Sequence, residues 1–396
     1  MTTMKRVRRW DGPALFSYGF RPFFLFAAIQ AALAVAAWTL WLDGATGLPS
    51  AFPPLAWHAH ELLFGYASAV VAGFLMTAVP NWTGRLPVVG APLIVLFGLW
   101  LVGRAAIMAS GLMHPLVVAL LTLIFPLVFL GVIAREVMAG KNIRNIKVVV
   151  ALGVLGLAQI WFHIEVWRTG ASVFGERLAI GAYLMLVMIV GGRIVPSFTT
   201  NWIKRANPGR APAPFGLFDK IAMVAGGAAL LVWFAAPAIS AGKPAFVALL
   251  AIACALHVVR LLRWAPDRVW AERLVFVLHA SYAFIPLGFG FAAASLWRSD
   301  HGLDLAAIHC WAIGGIGLMT LAVMTRATRG HTGRPLVAPP STSALYVLVA
   351  IAALARIAAT FVDNDTMLLT IAGLCWTLGF GGFALIYGPM CLSRRA

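Results

Sequence analysis

The sequence predicts an all-α membrane protein of twelve transmembrane helices with both termini cytoplasmic. Three observations carry that prediction. The 396-residue chain is 62% hydrophobic and only 11% charged. Apolar runs of about twenty residues, the length that crosses a bilayer, recur along its whole length. Lysine and arginine gather in alternate connections between those runs, the bias that orients helices in a membrane.

Taken in order, the charged tail Lys5, Arg6, Arg8 and Arg9 precedes the first span, 20–42, and Asp43 follows it. The first span lacks a small-residue cleavage motif, so it is expected to be an anchor and not a removable signal. Spans 57–79 and 90–110 flank Thr83-Gly84-Arg85. Between 115–137 and 147–168 stand Arg135, Lys141, Arg144 and Lys147. Arg168, Glu176 and Arg177 separate that span from 177–199, and Lys204, Arg205 and Arg210 lead to 218–240. Lys243 precedes 244–263, and Arg260, Arg263, Arg268 and Arg273 are read as the connection to 271–297. Arg298, Asp300 and Asp304 are read as the next loop, before 305–326. Arg326, Arg329 and Arg334 precede 342–362, then Asp363 and Asp365, span 366–390, and Arg394 and Arg395.

Connections this short leave no room for a separate soluble domain, so residues 1–396 are one polytopic unit. The net charge of +17 is the alternate-loop bias and not a nucleic-acid surface. Cys254, Cys310, Cys375 and Cys391 lie in separate apolar runs, read as small core residues without a disulfide framework.

Two copies of one pattern stand out. His60 opens a helix that Thr83-Gly84-Arg85 closes, and His309 opens one that Thr332-Gly333-Arg334 closes at the same spacing, with Gly65 matching Gly314. Gly181 and Val195-Pro196 align likewise with Gly65 and Val79-Pro80. Helices two, six and ten are then equivalent, giving repeats centred on 57–110, 177–240 and 305–362. Small residues on the second and tenth spans (Gly65, Ala72, Gly73; Gly314, Gly315, Gly317) let backbones approach closely or leave space for a flat cofactor.

A histidine within a bilayer costs free energy unless something there binds it, so His60 and His309 point to a shared metal or haem. Neutral imidazole is a common ligand for copper and haem iron. His58 is about 200° round a regular helix from His60, so the two serve different sites. In an extended segment after Pro53-Pro54 both would point one way and share a copper. Glu61 shares the face of His58, where it would orient that imidazole, bind metal or carry protons. The competing reading is an interfacial Trp57-His58-Ala59-His60 belt without a ligand.

His163 and Glu165 lie near the end of the fifth span. His279 stands roughly 10 Å into the ninth, on one face with Tyr282, and Pro286 follows one turn on, placed to free a carbonyl by kinking. This is a second ligand with a hydrogen-bonding tyrosine, or a satisfied interhelical histidine. His331 falls in the Gly330-His331-Thr332-Gly333-Arg334 loop. His114, His257 and His301 read as ordinary polar residues. Arg193 needs a partner in the bundle, for which a haem propionate, a carboxylate or backbone carbonyls are suitable. Arg104 and Arg356 fit either the repeat or snorkelling. The absence of CxxCH excludes covalent c-type haem and leaves a histidine-held b-type haem open.

These residues resemble the NnrS family of bacterial membrane proteins across nearly the whole chain. The resemblance is carried by Gly19-Phe20-Arg21-Pro22-Phe23-Phe24, Trp57-His58-Ala59-His60-Glu61, Phe64-Gly65, Ala72-Gly73-Phe74 and Pro80-Asn81-Trp82-Thr83-Gly84. It extends through Gly191-Gly192-Arg193, Leu278-His279 with Tyr282, and His309 to Met324, Arg326 and Gly330-His331-Thr332-Gly333-Arg334-Pro335-Leu336. It implies a haem- and copper-containing inner-membrane protein associated with denitrification or the nitric oxide response, without assigning ligands. By looser analogy, haem–copper oxidases and nitric oxide reductases use a twelve-helix core with haem histidines on helices two and ten. The chain lacks the adjacent histidine pair with which those enzymes hold copper.

The resulting expectation is an oxidoreductase-like membrane protein of the bacterial inner membrane that binds nitric oxide, or a related small molecule, and reduces or otherwise consumes it. His60 and His309 would hold haem b, and His58, Glu61 and His163 an adjacent copper. His279, Tyr282 and His331 would form a second haem site or a proton path, and Arg193 and Arg326 would pair with propionates. Glu61 and Tyr282 are the catalytic candidates, and Glu61 and Glu165 the acids near the first site. Electrons would come from an unidentified donor. The rivals are a transporter or permease for a metal or small molecule, which twelve helices with repeats and intramembrane histidines also describe, and a nitric oxide sensor without turnover.

Overall fold

The computed structural model describes residues 10–42, 44, 47, 50–238, 243–362 and 366–394. Lys5, Arg6, Arg8, Arg9, Asp43, Asp363, Asp365 and Arg395 lie outside the described residues. Among the described residues all regular structure is helical. Twelve helices among these residues are long and apolar enough to cross a membrane: α1 Phe20–Leu42, α2 Pro54–Thr83, α3 Ala91–Met108, α4 Pro115–Ala139, α5 Ile143–Thr169 and α6 Phe174–Ala206. They continue as α7 Leu217–Ala238, α8 Lys243–Arg268, α9 Arg273–Arg298, α10 His301–His331, α11 Pro340–Phe361 and α12 Thr366–Leu392.

Local chemistry sets the ends. Proline stands at the first helical turn of α2, α3, α4 and α11, where its missing N–H is no loss. Gly84, Gly170 and Gly333 end helices with φ of 70, 77 and 80°, the left-handed conformation glycine adopts at lowest cost. The two Thr-Gly-Arg copies are thus matching helix stops. Thr83 Oγ1 donates to Val79 O at 2.8 Å and Thr332 Oγ1 to Thr328 O at 2.7 Å.

The chain divides into two compact units. The first comprises Met1–Ala179, Met324–Pro335 and Phe380–Ala396; the second comprises Ile180–Val323 and Leu336–Gly379. In the first, Phe23, Phe24, Phe97, Phe125 and Phe162 are buried, and Arg21 donates to the carbonyls of Cys391 (2.9 Å) and Met390 (3.2 Å) at the end of α12, satisfying acceptors that a helix end leaves open. Tyr18, just before α1, donates to Thr77 O at 3.3 Å; burial pushes its phenol up to about 12. In the second, Trp233, Trp264, Trp311 and Phe289 are buried. Large exposed side chains such as Leu33, Val95, Leu120, Val224 and Leu385 give the surface that lipid tails would cover.

Among the described residues, three helices carry a π-helical segment: Glu61–Ala67 in α2, Val187–Gly191 in α6 and Cys310–Gly317 in α10. These are the helices that the sequence groups together. In α2 and α10 the segment begins on the residue after the matched histidine, Glu61 after His60 and Cys310 after His309. In α6 it lies further along. A π turn widens the helix and releases backbone groups for other partners, and such turns concentrate at functional sites. Gly65 O duly accepts from Trp100 Nε1 (3.0 Å), and Met188 O from Arg260 Nη1 (3.2 Å). Beside Pro286, the carbonyls of Phe284 and Ile285 accept from Cys310 Sγ (3.2 Å) and Trp311 Nε1 (3.0 Å).

Candidate functional site

The first turns of α2 build the site in the first unit. The chain is already regular helix from Pro54 to His60, so the two histidines diverge and the extended alternative does not apply. His58 stacks on Trp38, with centroids 4.7 Å apart. His60 packs against Phe52, Phe64 and Phe162 at 5.3–5.7 Å and against the His163 ring at 5.2 Å. It is 0% exposed.

The π turn swings Glu61 onto His60: its Oε1 lies 3.1 Å from His60 Nδ1, and the carboxylate also accepts from Gln30 Nε2 and Arg104 Nη1. The sequence expectation that Glu61 serves His58 assumed α-helical spacing beyond His60, which the π turn interrupts. A carboxylate that faces Nδ1 accepts a hydrogen bond from it, so Nδ1 keeps its hydrogen and His60 carries its lone pair on Nε2. That atom is buried and has no hydrogen-bond partner. Arg104 is buried and ion-paired with Glu61, so it does not snorkel.

His163 joins this cluster through Thr122. Thr122 Oγ1 donates to Ala119 O (2.9 Å), so His163 Nε2–H donates to Thr122 Oγ1 (2.8 Å) and the His163 lone pair resides on Nδ1. The same logic fixes His279 in the second unit: Thr199 Oγ1 donates to Val195 O (2.9 Å) and accepts from His279 Nε2–H (2.8 Å). His279 Nδ1 is buried without a partner.

Tyr282 shares a helix with His279 but bonds elsewhere. Its hydroxyl lies 2.8 Å from His257 Nδ1 and accepts from Arg260 Nη1 at 2.9 Å. His257 Nε2 faces Ala222 O at 3.0 Å and must be its N–H, so Tyr282 donates to Nδ1. Arg260 also donates to Asp219 Oδ1 (3.1 Å) and stacks on Trp264 (5.1 Å). Two readings change here. His257 is not an ordinary polar residue near a helix end: it is fully buried in a hydrogen-bonded network. Arg260 is not a loop cation but fully buried in α8, and its partner Asp219 is buried in α7. The signal in the sequence was the apolar flank Val258, Val259, Leu261 and Leu262 around Arg260.

Other candidates fall as follows. His309 is half-buried, and its Nδ1 donates to Leu305 O at 2.8 Å, leaving Nε2 the basic nitrogen. Arg193 and Arg326 are half-buried in α6 and α10. His331 is the last residue of α10 and not part of a loop, because the helix runs on to its Gly333 stop; its ring packs on Tyr18 (5.3 Å) and Phe20 (5.6 Å). Glu165 is a helix cap: its carboxylate accepts from Ser172 Oγ (2.7 Å) and the N–H groups of Phe174 (3.1 Å) and Gly175 (2.9 Å). Asp304 belongs to α10 and accepts from Trp233 Nε1 at 2.9 Å. The four cysteines are unpaired thiols. His58, His60, Glu61, His163, Arg326 and His331 belong to the first unit; Arg193, His279, Tyr282 and His309 belong to the second. Among the described residues no group of three or more His, Cys, Asp or Glu side chains is arranged to hold a metal ion.

The family profile described as NnrS protein matches residues 14–395. The chain belongs to the NnrS family. Comparison with curated proteins finds no match. NnrS membership and the twelve apolar helices make this an integral membrane protein of a nitric-oxide-related family.

Proposed function

We propose that this NnrS-family protein binds haem b and copper in the bacterial inner membrane and there binds nitric oxide and reduces or otherwise consumes it. One observation carries the reading: the His60 Nε2 lone pair is fully buried, unpartnered and walled by aromatic rings, while its Nδ1 is tied to Glu61. A buried polar atom without a partner is costly, and an imidazole anchored through one nitrogen with the other open is the arrangement of metal-bound histidine. His60 and His163 together offer two imidazole donors, which suit copper, and His309 offers Nε2 to a haem iron.

Once bound, such metals would supply the affinity for nitric oxide and the electron exchange with a donor. The chain's own contributions are narrower. Glu61 orients His60, the phenyl rings of Phe52, Phe64 and Phe162 exclude water from it, and Arg193 and Arg326 would meet propionates. Nitric oxide is apolar and partitions into lipid, so a site at membrane depth is accessible to it.

The test is the haem and copper content of purified wild-type, His60→Ala and His309→Ala proteins, with optical spectra under reducing conditions before and after nitric oxide. The reading expects a haem absorption band that shifts on nitric oxide addition, and loss of bound metal in each variant. Unchanged metal content in both variants, or sub-stoichiometric metal without haem, would favour a permease.

A further inference from the structure

We propose that Arg104, seated on Gly65 within the π turn of α2, is the positioning residue that holds Glu61 against His60 and so keeps the His60 Nε2 turned out as a ligand atom. The inference rests on the reading of His60 as a metal ligand and adds a second residue pair to it. The geometry is specific. Arg104 Nη1 reaches Glu61 across the α3–α2 contact, and Gln30 Nε2 of α1 holds the other carboxylate oxygen. Between these two anchors the carboxylate has one remaining direction, toward His60 Nδ1 at 3.1 Å.

The approach of Arg104 depends on the absence of a side chain at residue 65. A Cβ there would lie 2.7 Å from Arg104 Nη1, closer than real Cβ contacts. Trp100 Nε1, one turn before Arg104 on α3, donates to Gly65 O at 3.0 Å and fixes the two helices at this height. The pair is not built for stability alone. Arg104 Nε is buried without a partner, and a buried ion pair seldom outperforms well-packed apolar side chains. Its geometric product is the fixed carboxylate, and the carboxylate's product is a fixed imidazole.

The test compares Arg104→Met, Arg104→Lys and Gly65→Ala with wild type, and His60→Ala as the ligand control. Gly65→Ala keeps both charges, and the atom it displaces is the end of a flexible side chain, so it moves Arg104 without emptying the core. Nitrogen-15 NMR of the histidines in metal-free protein reads the His60 tautomer directly. Copper titration of the same samples reads affinity.

Wild type should show His60 as one tautomer, protonated on Nδ1. Arg104→Met and Gly65→Ala should both show a mixture and bind copper roughly ten- to a hundredfold more weakly, the range for partners that orient a ligand, while Arg104→Lys recovers part of the loss. A single unchanged tautomer in Gly65→Ala and Arg104→Met would overturn the proposal, even with copper binding lost in His60→Ala. Unchanged copper binding in His60→Ala would instead overturn the ligand reading, and with it the link from Arg104 to a metal.

Discussion

Among the described residues, each unit buries an arginine–carboxylate pair against a glycine, Gly65 within a π-helical turn and Gly192 just after one, and the two clusters end differently. In the first, Arg104 and Glu61 over Gly65 lead to His60, whose outer nitrogen has no partner. In the second, Arg260 and Asp219 over Gly192 lead to Tyr282 and on to His257, whose last nitrogen donates to a backbone carbonyl. The charge pairs are alike; the terminal atoms are not. Each arginine keeps one buried nitrogen without a partner, Arg104 Nε and Arg260 Nη2, so the contrast lies in the histidine: an unsatisfied lone pair on His60 suits a ligand, whereas His257, bonded through both nitrogens, ties helices together.

That contrast is open to a direct break. Asp219→Leu leaves Arg260 as an unpaired charge, and removing one partner of a buried pair costs about 3–5 kcal/mol. Thermal unfolding in detergent should therefore move to much lower temperature, with cofactor content per folded molecule unchanged. If Asp219→Leu instead removed bound metal from protein that remained folded, the second cluster would be a site after all.

The reason this contrast escaped the sequence is physical. The spans were legible because a bilayer demands long apolar runs, and most helices of the structure start and stop within about five residues of them, α1 at Phe20–Leu42 and α12 at Thr366–Leu392, while α6 runs on past the expected end to Ala206. A π turn leaves no such trace. It inserts one residue in a helix that is apolar nearly all round, so no change of hydrophobic period betrays it. For that reason the sequence alone puts Glu61 on the face of His58. Arg260 resembles a loop cation because a cation near a helix end is ordinarily interfacial, and only its four apolar neighbours point to burial. Asp219, Arg104 and Gln30 come from separate helices, and their meeting depends on packing that spacing along one helix cannot reveal. The matched histidines and glycines of α2 and α10 were readable, because identical residues at identical spacing survive any packing.

The glycines sharpen the comparison at the next size of effect. Gly192→Ala drives a Cβ into Arg260 Nη2, and Arg260 is held by Asp219, Met188 O and Tyr282. It has nowhere to go, so overpacking of about 1–3 kcal/mol is expected. Gly65→Ala meets an arginine anchored to one carboxylate, so its unfolding temperature should fall less than that of Gly192→Ala. Equal losses would mean that Arg104 is as rigidly clamped as Arg260.

The smallest effect is expected from Tyr282→Phe. The ring remains and so does its packing on Trp264 at 4.5 Å, but the hydroxyl that links Arg260 to His257 is gone. His257 Nδ1 is then a buried acceptor with no donor, at a cost of about 1–2 kcal/mol. Switching its tautomer gives no relief, because Nε2 must keep its proton to meet Ala222 O. The variant should melt modestly earlier and take up copper with wild-type affinity, whereas the change at His60 removes binding. A Tyr282→Phe protein of wild-type stability that had lost its response to nitric oxide would reverse the assignment, making this hydroxyl part of the chemistry and the Arg260–Asp219 network its support.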